Sequence, residues 1–300
     1  MREIILKNYE IFIENLMNNN GPDQHQYNEL SNWYNDVGNN LDIGILSKND
    51  IDDLRNKFGS VFVDNNSLQG RIFNKPLGYS GDYIVIDKIY TNSTSQNPIF
   101  KKWDLYTQSL PACEAVRNRK EYFIKIMKKL SKTKCNLSVL NLASGSCRDI
   151  IELFEYEKIN NIEFDCVDFD QDAIEYAKKK LSVYSSKVNF IHKNILKFRT
   201  TKKYDIIWSA GMFDYLNDKL FKYMLSNISN FLKKDGKIVI GNFHPRNPSK
   251  RAMEFGEWYL QHRNEAQLIE LASSIGTKYL TIDVFSEDTG INLFLHIENS

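Results

Sequence analysis

The sequence predicts an α/β protein: a seven-stranded, mostly parallel sheet covered by helices, closed by a C-terminal antiparallel hairpin and preceded by a helical N-terminal cap. Three observations predict it. After residue 134, short apolar runs alternate with stretches of helical period, the grammar of a parallel sheet buried on both faces. The last two apolar runs are instead separated by a short turn holding Asp288 and Gly290, which marks a hairpin. The first 134 residues carry helical spacing and almost no strand-like runs. The expected division is therefore 1–134 as the cap and substrate region, and 135–300 as the sheet domain.

The elements follow in order. Ile5, Tyr9, Phe12 and Leu16 keep a helical period that ends at Asn18-Asn19-Asn20-Gly21-Pro22. A second helix spans Tyr27 to Val37. A third starts behind Ser47, with Asp50 three residues on, and stops at Gly59. Residues 60–97, rich in Asn, Ser and Gly, read as loop. Pro111 suits the first position of a long helix with Val116, Phe123, Met127 and Leu130 on one face. The strand runs are SVLNLA (138–143), IEFDCVD (162–168), KVNFIH (187–192), YDIIWS (204–209) and GKIVIGNF (236–243). Helical stretches Asp149–Tyr156, Asp172–Tyr184 and Leu216–Leu232 lie between them. TKYLTIDVF (277–285) and INLFLHI (291–297) form the hairpin.

Composition narrows the function. Lys+Arg 39 against Asp+Glu 38 gives a formal charge of +1, so no overall field draws nucleic acid or an acidic membrane. Apolar residues at 42% suffice for a core, and an aromatic content of 13% hints at a pocket as well. Cys113, Cys135, Cys147 and Cys166 make no CxxC pair, and the five histidines make no HxH or HExxH. No metal site is expected, and scattered thiols suit a reducing cytoplasm. No apolar run approaches membrane-spanning length. These features imply a soluble, cytoplasmic protein and leave the oligomeric state open.

The chemistry concentrates where strands end. VLNLASGSCRDI (139–150) is a strand, a tight turn of small residues (Ala143, Ser144, Gly145, Ser146) and a helix opening near Arg148. Small residues let a ligand approach the backbone, and a helix start offers free amides; an ordinary strand–helix turn has the same look. Asp168, at the tip of the second strand, suits two ribose hydroxyls, although Asp168, Asp170 and Asp172 are also helix-cap candidates. A dinucleotide site wants G-x-G-x-x-G, of which only Gly145 is present. This favours a nucleoside without pyrophosphate, such as S-adenosylmethionine, over a nicotinamide cofactor.

Those features resemble the class I S-adenosylmethionine-dependent methyltransferases, whose domain is a Rossmann-like sheet, over residues 135–300. The resemblance implies that Ala143, Ser144 and Gly145 form the methionine-binding turn, with Arg148 opening the helix behind it. It also implies that Asp168 takes the ribose hydroxyls, that Phe169 flanks the adenine, and that Asn194 and Ile195 read its amino edge. Ser209 and Ala210 would end the fourth strand beside the methyl donor. The strings KPLGYSGDY (75–83), AVRNR (115–119), LASGSCRD (142–149), SAGMFDYL (209–216), IGNFHPRNP (240–248) and EWYLQHRNEAQL (257–268) further resemble the bacterial group that includes 3-hydroxy fatty acid methyl ester synthases. Cys147 stands where that group has a second glycine.

Several residues keep two readings. Tyr79 either lies against the sulfonium or substrate, as a catalytic residue, or packs in a plain turn; Asp82 would receive the donor's ammonium. His244 is either a general base or only a hydrogen-bond partner of a loop carbonyl. Asn242 is a candidate positioning donor. Phe213 and Tyr215 are pocket walls or core aromatics. Among the arginines of the matching strings, Arg263 ranks first as a fork for a substrate carboxylate. The expected activity is methyl transfer to a small molecule, with a carboxylate oxygen as acceptor. The alternatives are a hydroxyl or amine of a secondary metabolite, or a non-catalytic nucleoside-binding protein.

Overall fold

The computed structural model describes residues 1–274 and 280–299. Helices fill the first part: α1 (Arg2–Asn18), α2 (Tyr27–Asp42), α3 (Lys48–Lys57), α4 (Ser60–Val63), α5 (Leu68–Asn74), α6 (Tyr83–Tyr90), α7 (Pro98–Ser109) and α8 (Pro111–Ser131). Strands and helices then alternate through β1 (Leu137–Leu142), α9 (Arg148–Glu157), β2 (Ile162–Asp168), α10 (Gln171–Lys180), β3 (Val188–His192), β4 (Tyr204–Ser209), α11 (Asp218–Ser229) and β5 (Leu232–Phe243). α12 (Lys250–Phe255) and α13 (Glu265–Ser273) precede the hairpin of β6 (Leu280–Ser286) and β7 (Asn292–Asn299). Residues 277–279 of the expected first hairpin run lie outside the described residues.

Local chemistry sets most helix starts. The Ser47 hydroxyl accepts from the Asp50 amide while the Asp50 carboxylate accepts from the Ser47 amide, a capping box that opens α3. The segment 60–97, read from composition as loop, in fact holds α4, α5 and α6. Its polar residues are the caps of those short helices: Ser67 accepts from the Gly70 amide, and Asp82 from the Ile84 and Val85 amides.

The sheet order among the described residues is β3-β2-β1-β4-β5-β7-β6, parallel except for β7, which runs antiparallel to both neighbours. Alternate residues of β1 enter different cores: Leu140 and Leu142 join one, Leu137 and Val139 the other. Both faces are thus covered, which is why the strand sequences are nearly continuous apolar runs.

The chain forms two compact units, Met1–Glu114 with Asn247–Tyr259, and Ala115–Arg246 with Leu260–Ser300. This differs from a single boundary at 134/135 for two physical reasons. Phe123 and Met127 of α8 are fully buried in the sheet's own core, Phe123 with its ring 5.1 Å from that of Trp208. Phe255 of α12 packs its ring 5.2–5.7 Å from Trp33, Tyr34, Phe58 and Phe62, so burial of this aromatic joins 247–259 to the helical unit. Arg251 strengthens that attachment by pairing with Asp42.

The hairpin turn is built around one buried carboxylate. Glu287 accepts from the amides of Thr289 (2.8 Å), Ile291 (2.9 Å) and Asn292 (3.0 Å), the Thr289 hydroxyl (2.6 Å) and the Asn118 side chain (2.8 Å). Burial pushes its carboxyl up, but these donors outweigh burial and hold it below 4.5. Glu287→Gln places an NH2 group among donors and is expected to cost about 2–3 kcal/mol in urea unfolding. A depressed carboxyl stabilises above its unfolded value and loses that contribution as pH falls through its folded value. The gap between wild type and variant therefore narrows below pH 4.5; a gap constant through the acid range contradicts this account.

Candidate active site

The strands β1, β2, β4 and β5 run parallel, so the turns leaving their carboxyl ends share one edge of the sheet. In the first of these turns Ala143, Gly145 and Cys147 all take left-handed backbone angles, with φ of 54°, 52° and 52°. Only glycine adopts these without steric cost. Cys147 holds the conformation of the glycine it replaces, so the turn's shape survives that departure in sequence.

Asp168 ties this turn to the tip of β2. Its Oδ2 accepts from the Gly145 amide at 2.8 Å and its Oδ1 from the Asp170 amide at 3.0 Å. Capping of α10 falls to Asp170, which accepts from the amides of Asp172 and Ala173. Burial raises the Asp168 carboxyl above its ordinary value, while the two amides pull it back. Each carboxylate oxygen retains acceptor capacity for a hydroxyl. Nearby, Ser144 Oγ is buried with no hydrogen-bond partner among the described residues. Phe169 is 53% exposed, and its carbonyl lies 2.9 Å from His192 Nε2. An acid at the strand tip, an orphaned hydroxyl in the turn and an exposed ring beside them fit an adenosine with an amino acid tail.

Other expected donor-site residues are partly committed to the chain. Asn194 Oδ1 accepts from the Leu196 amide at 2.9 Å, capping a short 3-10 turn, and the Ile195 side chain is buried in the core. Ser209 Oγ donates to the Leu142 carbonyl at 3.2 Å, and the Ala210 carbonyl accepts from Arg119 Nη1 at 3.1 Å. Arg148, partly buried, opens α9. Tyr79 and Asp82 belong to the helical unit. Tyr79 is partly exposed. The fully buried Asp82 carboxylate caps α6 and pairs with Arg71 Nη2 at 2.8 Å, so the charge expected to receive an ammonium is already spent on the fold.

Three of the expected substrate residues are engaged by the chain itself. Arg263 donates from Nε and Nη2 to Asp218, from Nη1 to the Phe213 carbonyl and Asn242 Oδ1, and from Nη2 to the Leu216 carbonyl. That occupies all five donors of a guanidinium, leaving no fork for a substrate. Asn242, fully buried, also donates to the carbonyls of Phe243 and Gln261. Phe213 is fully buried with its ring 4.8 Å from that of Phe221, a core contact. Tyr215 is 44% exposed.

His244 is buried, and both ring nitrogens are engaged. Nδ1 accepts from the Arg246 amide at 2.9 Å, and Nε2 lies 3.3 Å from Glu265 Oε2 and 3.4 Å from Arg246 Nη2. None of these contacts is the loop carbonyl expected as the alternative, and a general base at this position would have to give up one of them.

Sequence reading passed over Asp149 and Asp214. Burial pushes the Asp149 carboxyl up to about 6 and that of Asp214 up to about 7. The Ile150 and Phe243 amides respectively, and then the charge of Arg119, oppose these shifts. The available signal was position: Asp149 follows the small-residue turn, and Asp214 sits between two aromatics that were themselves singled out.

A sheet in this order, with a small-residue turn after β1 and a buried acid ending β2, defines a Rossmann-like nucleoside-binding domain of the methyltransferase kind. The chain belongs to the methyltransferase-domain family, which its residues 133–282 match; the donor of this class is S-adenosylmethionine. Over 86 residues it is 33% identical to malonyl-[acyl-carrier protein] O-methyltransferase 2 of Ilyobacter polytropus, covering 29% of this chain and 32% of that protein. The chain spans less than half the length of the curated relatives it matches. A possible exported protein of Bordetella parapertussis shares the fold at a TM-score of 0.60 and 14% identity, over 100% of this chain and 97% of that one. Magnesium protoporphyrin IX methyltransferase of Synechocystis, with bound S-adenosylhomocysteine, shares it at 0.54 and 12% identity, over 78% and 100%. Among the described residues no helix is long and apolar enough to cross a membrane.

Proposed function

We propose that this protein transfers a methyl group from S-adenosylmethionine to a carboxylate oxygen of a small molecule, giving a methyl ester in the cytoplasm. When bound, the donor supplies an electrophilic methyl on a sulfonium. Asp168 holds the ribose hydroxyls, Ser144 and the left-handed turn receive the amino acid tail, and Phe169 covers the base. Ala210, at the end of β4, faces the reacting centre. Alignment of an in-line displacement contributes about 7–11 kcal/mol at best, and orientation is the main task left to these residues.

One observation carries the choice of acceptor: His244, the base candidate at the end of β5, has both nitrogens occupied. A carboxylate arrives already charged and needs no base, unlike a hydroxyl. The curated relatives, named as O-methyltransferases of a malonyl group, support the same direction. The four free cysteines support a reducing compartment.

The test supplies donor labelled in its methyl group with a panel of carboxylic acids, hydroxylated metabolites and amines, then treats the products with mild alkali. An ester releases the label as volatile methanol; label retained in an ether or amine overturns the carboxylate assignment. On the same reading His244→Ala lowers kcat by less than about tenfold, whereas a fall of about 10²–10⁴ marks a general base.

A further inference from the structure

Arg119 of α8 is buried, with 5% of its surface exposed. A guanidinium keeps its charge, so burying one requires compensation from its surroundings. Part comes from the carboxylates of Asp149 and Asp214, both of which feel its field. Another part comes from the Ala210 carbonyl, 3.1 Å from Nη1. Ala210 is where the chain leaves β4, and the next residue shows how tightly this exit is built. A Cβ placed on Gly211 would lie 2.7 Å from Arg119 Nη1, and its three nearest heavy atoms all belong to that guanidinium. The Ala210 carbonyl is also closed off by β5: a Cβ on Gly241 would come 2.3 Å from its oxygen. One peptide is thus confined between a buried cation and a glycine of the neighbouring strand.

We propose that Arg119 is a positioning residue for methyl transfer: it fixes the Ala210–Gly211 peptide against which the donor is seated, and Gly211 lacks a side chain because the guanidinium fills that space. This rests on the donor site assigned above. Displacing a bound reactant by about 1 Å can cost about 10²-fold in rate, so a rigid strand exit matters more here than one hydrogen bond suggests.

The test uses the full chain, titrated with S-adenosylhomocysteine by calorimetry, with donor KM and kcat measured beside it. Arg119→Ala is expected to weaken binding about tenfold or more and, as alignment is lost, to lower kcat by up to about 10²-fold. Arg119→Lys recovers part of the loss, since an ammonium can still donate to the Ala210 carbonyl. Gly211→Ala reproduces the defect with Arg119 present, because its methyl drives the guanidinium away. In the Arg119→Ala background the same Gly211→Ala change adds little, because the atoms it would strike are gone. Additive losses in the double variant, or wild-type binding by Gly211→Ala, overturn the proposal. So does an Arg119→Ala protein that loses only melting temperature. Should Arg119→Ala fail to fold, Arg119→Lys combined with Gly211→Ala carries the comparison, and additivity there overturns it equally. A wild-type chain that does not bind S-adenosylhomocysteine sinks the donor site itself; a binding wild type with unaffected variants sinks only the role of Arg119.

Discussion

Asp168→Ala is expected to weaken S-adenosylhomocysteine binding by about 10²–10³-fold while the chain stays folded. Hydrogen bonds to a charged partner contribute about 1.5–3 kcal/mol each, and two ribose hydroxyls on one carboxylate give at least that range of affinity. The substitution also removes the acceptor of the Gly145 and Asp170 amides, which ties the β1 turn to β2. Asp168→Asn separates the two effects. It keeps the shape and one acceptor oxygen but loses the charge, so its loss is smaller. The pH dependence has a definite sign. Burial raises the Asp168 carboxyl above 3.8, and hydroxyl donors favour its anion. Donor affinity is therefore full above the folded pKa and falls as pH drops through it, and the Asn variant lacks that limb. Calorimetry across the acid range checks both points. An Asp168→Ala protein binding within about threefold of wild type would place the donor elsewhere.

The sheet was legible because its burial is two-sided. Ile162–Asp168 and Tyr204–Ser209 are strands over the very residues where their apolar runs begin and end. Covered on both faces, these strands keep an apolar residue at nearly every second position or more, and only Glu163 of β2 is exposed, so their limits stand out from the polar turns around them. The helical region was less legible because short helices rest on single caps, and Ser67 and Asp82 look in sequence like turn residues. The membership of α12 could not be read at all, since it depends on where one ring, Phe255, finds aromatic neighbours far away in sequence. At Gly145 and Asp168 backbone shape and strand position drew notice in the sequence, and the fold joins the two by a hydrogen bond from the Gly145 amide to Asp168 Oδ2. On the acceptor side a residue's type does not reveal its partners. Arg263, Asn242 and His244 have the chemistry to serve a substrate, and the fold consumes all of it.

Arg263→Ala should therefore act on stability and not on acceptor recognition. Its pair with Asp218 contributes little, because that carboxylate's side chain is 71% exposed. What matters is the set of buried acceptors: the Phe213 and Leu216 carbonyls at the exit of β4 and Asn242 Oδ1 at the end of β5. Phe221 packs beneath, its ring centroid 4.8 Å from the guanidinium carbon. Truncation strands the Leu216 carbonyl and Asn242 Oδ1, leaves the Phe213 carbonyl with only the Leu216 amide, and opens a void over that ring, an expected cost of about 3–5 kcal/mol in chemical denaturation. Arg263→Lys should rescue little, because three donors radiating from one nitrogen cannot span acceptors that a planar fork reaches. A substrate-binding arginine predicts the reverse pattern, with acceptor KM raised and stability untouched. Measured side by side on the folded fraction, the unfolding midpoint moves under one role and the acceptor KM under the other, and only a lowered midpoint with an unchanged KM agrees with the packing seen around this side chain.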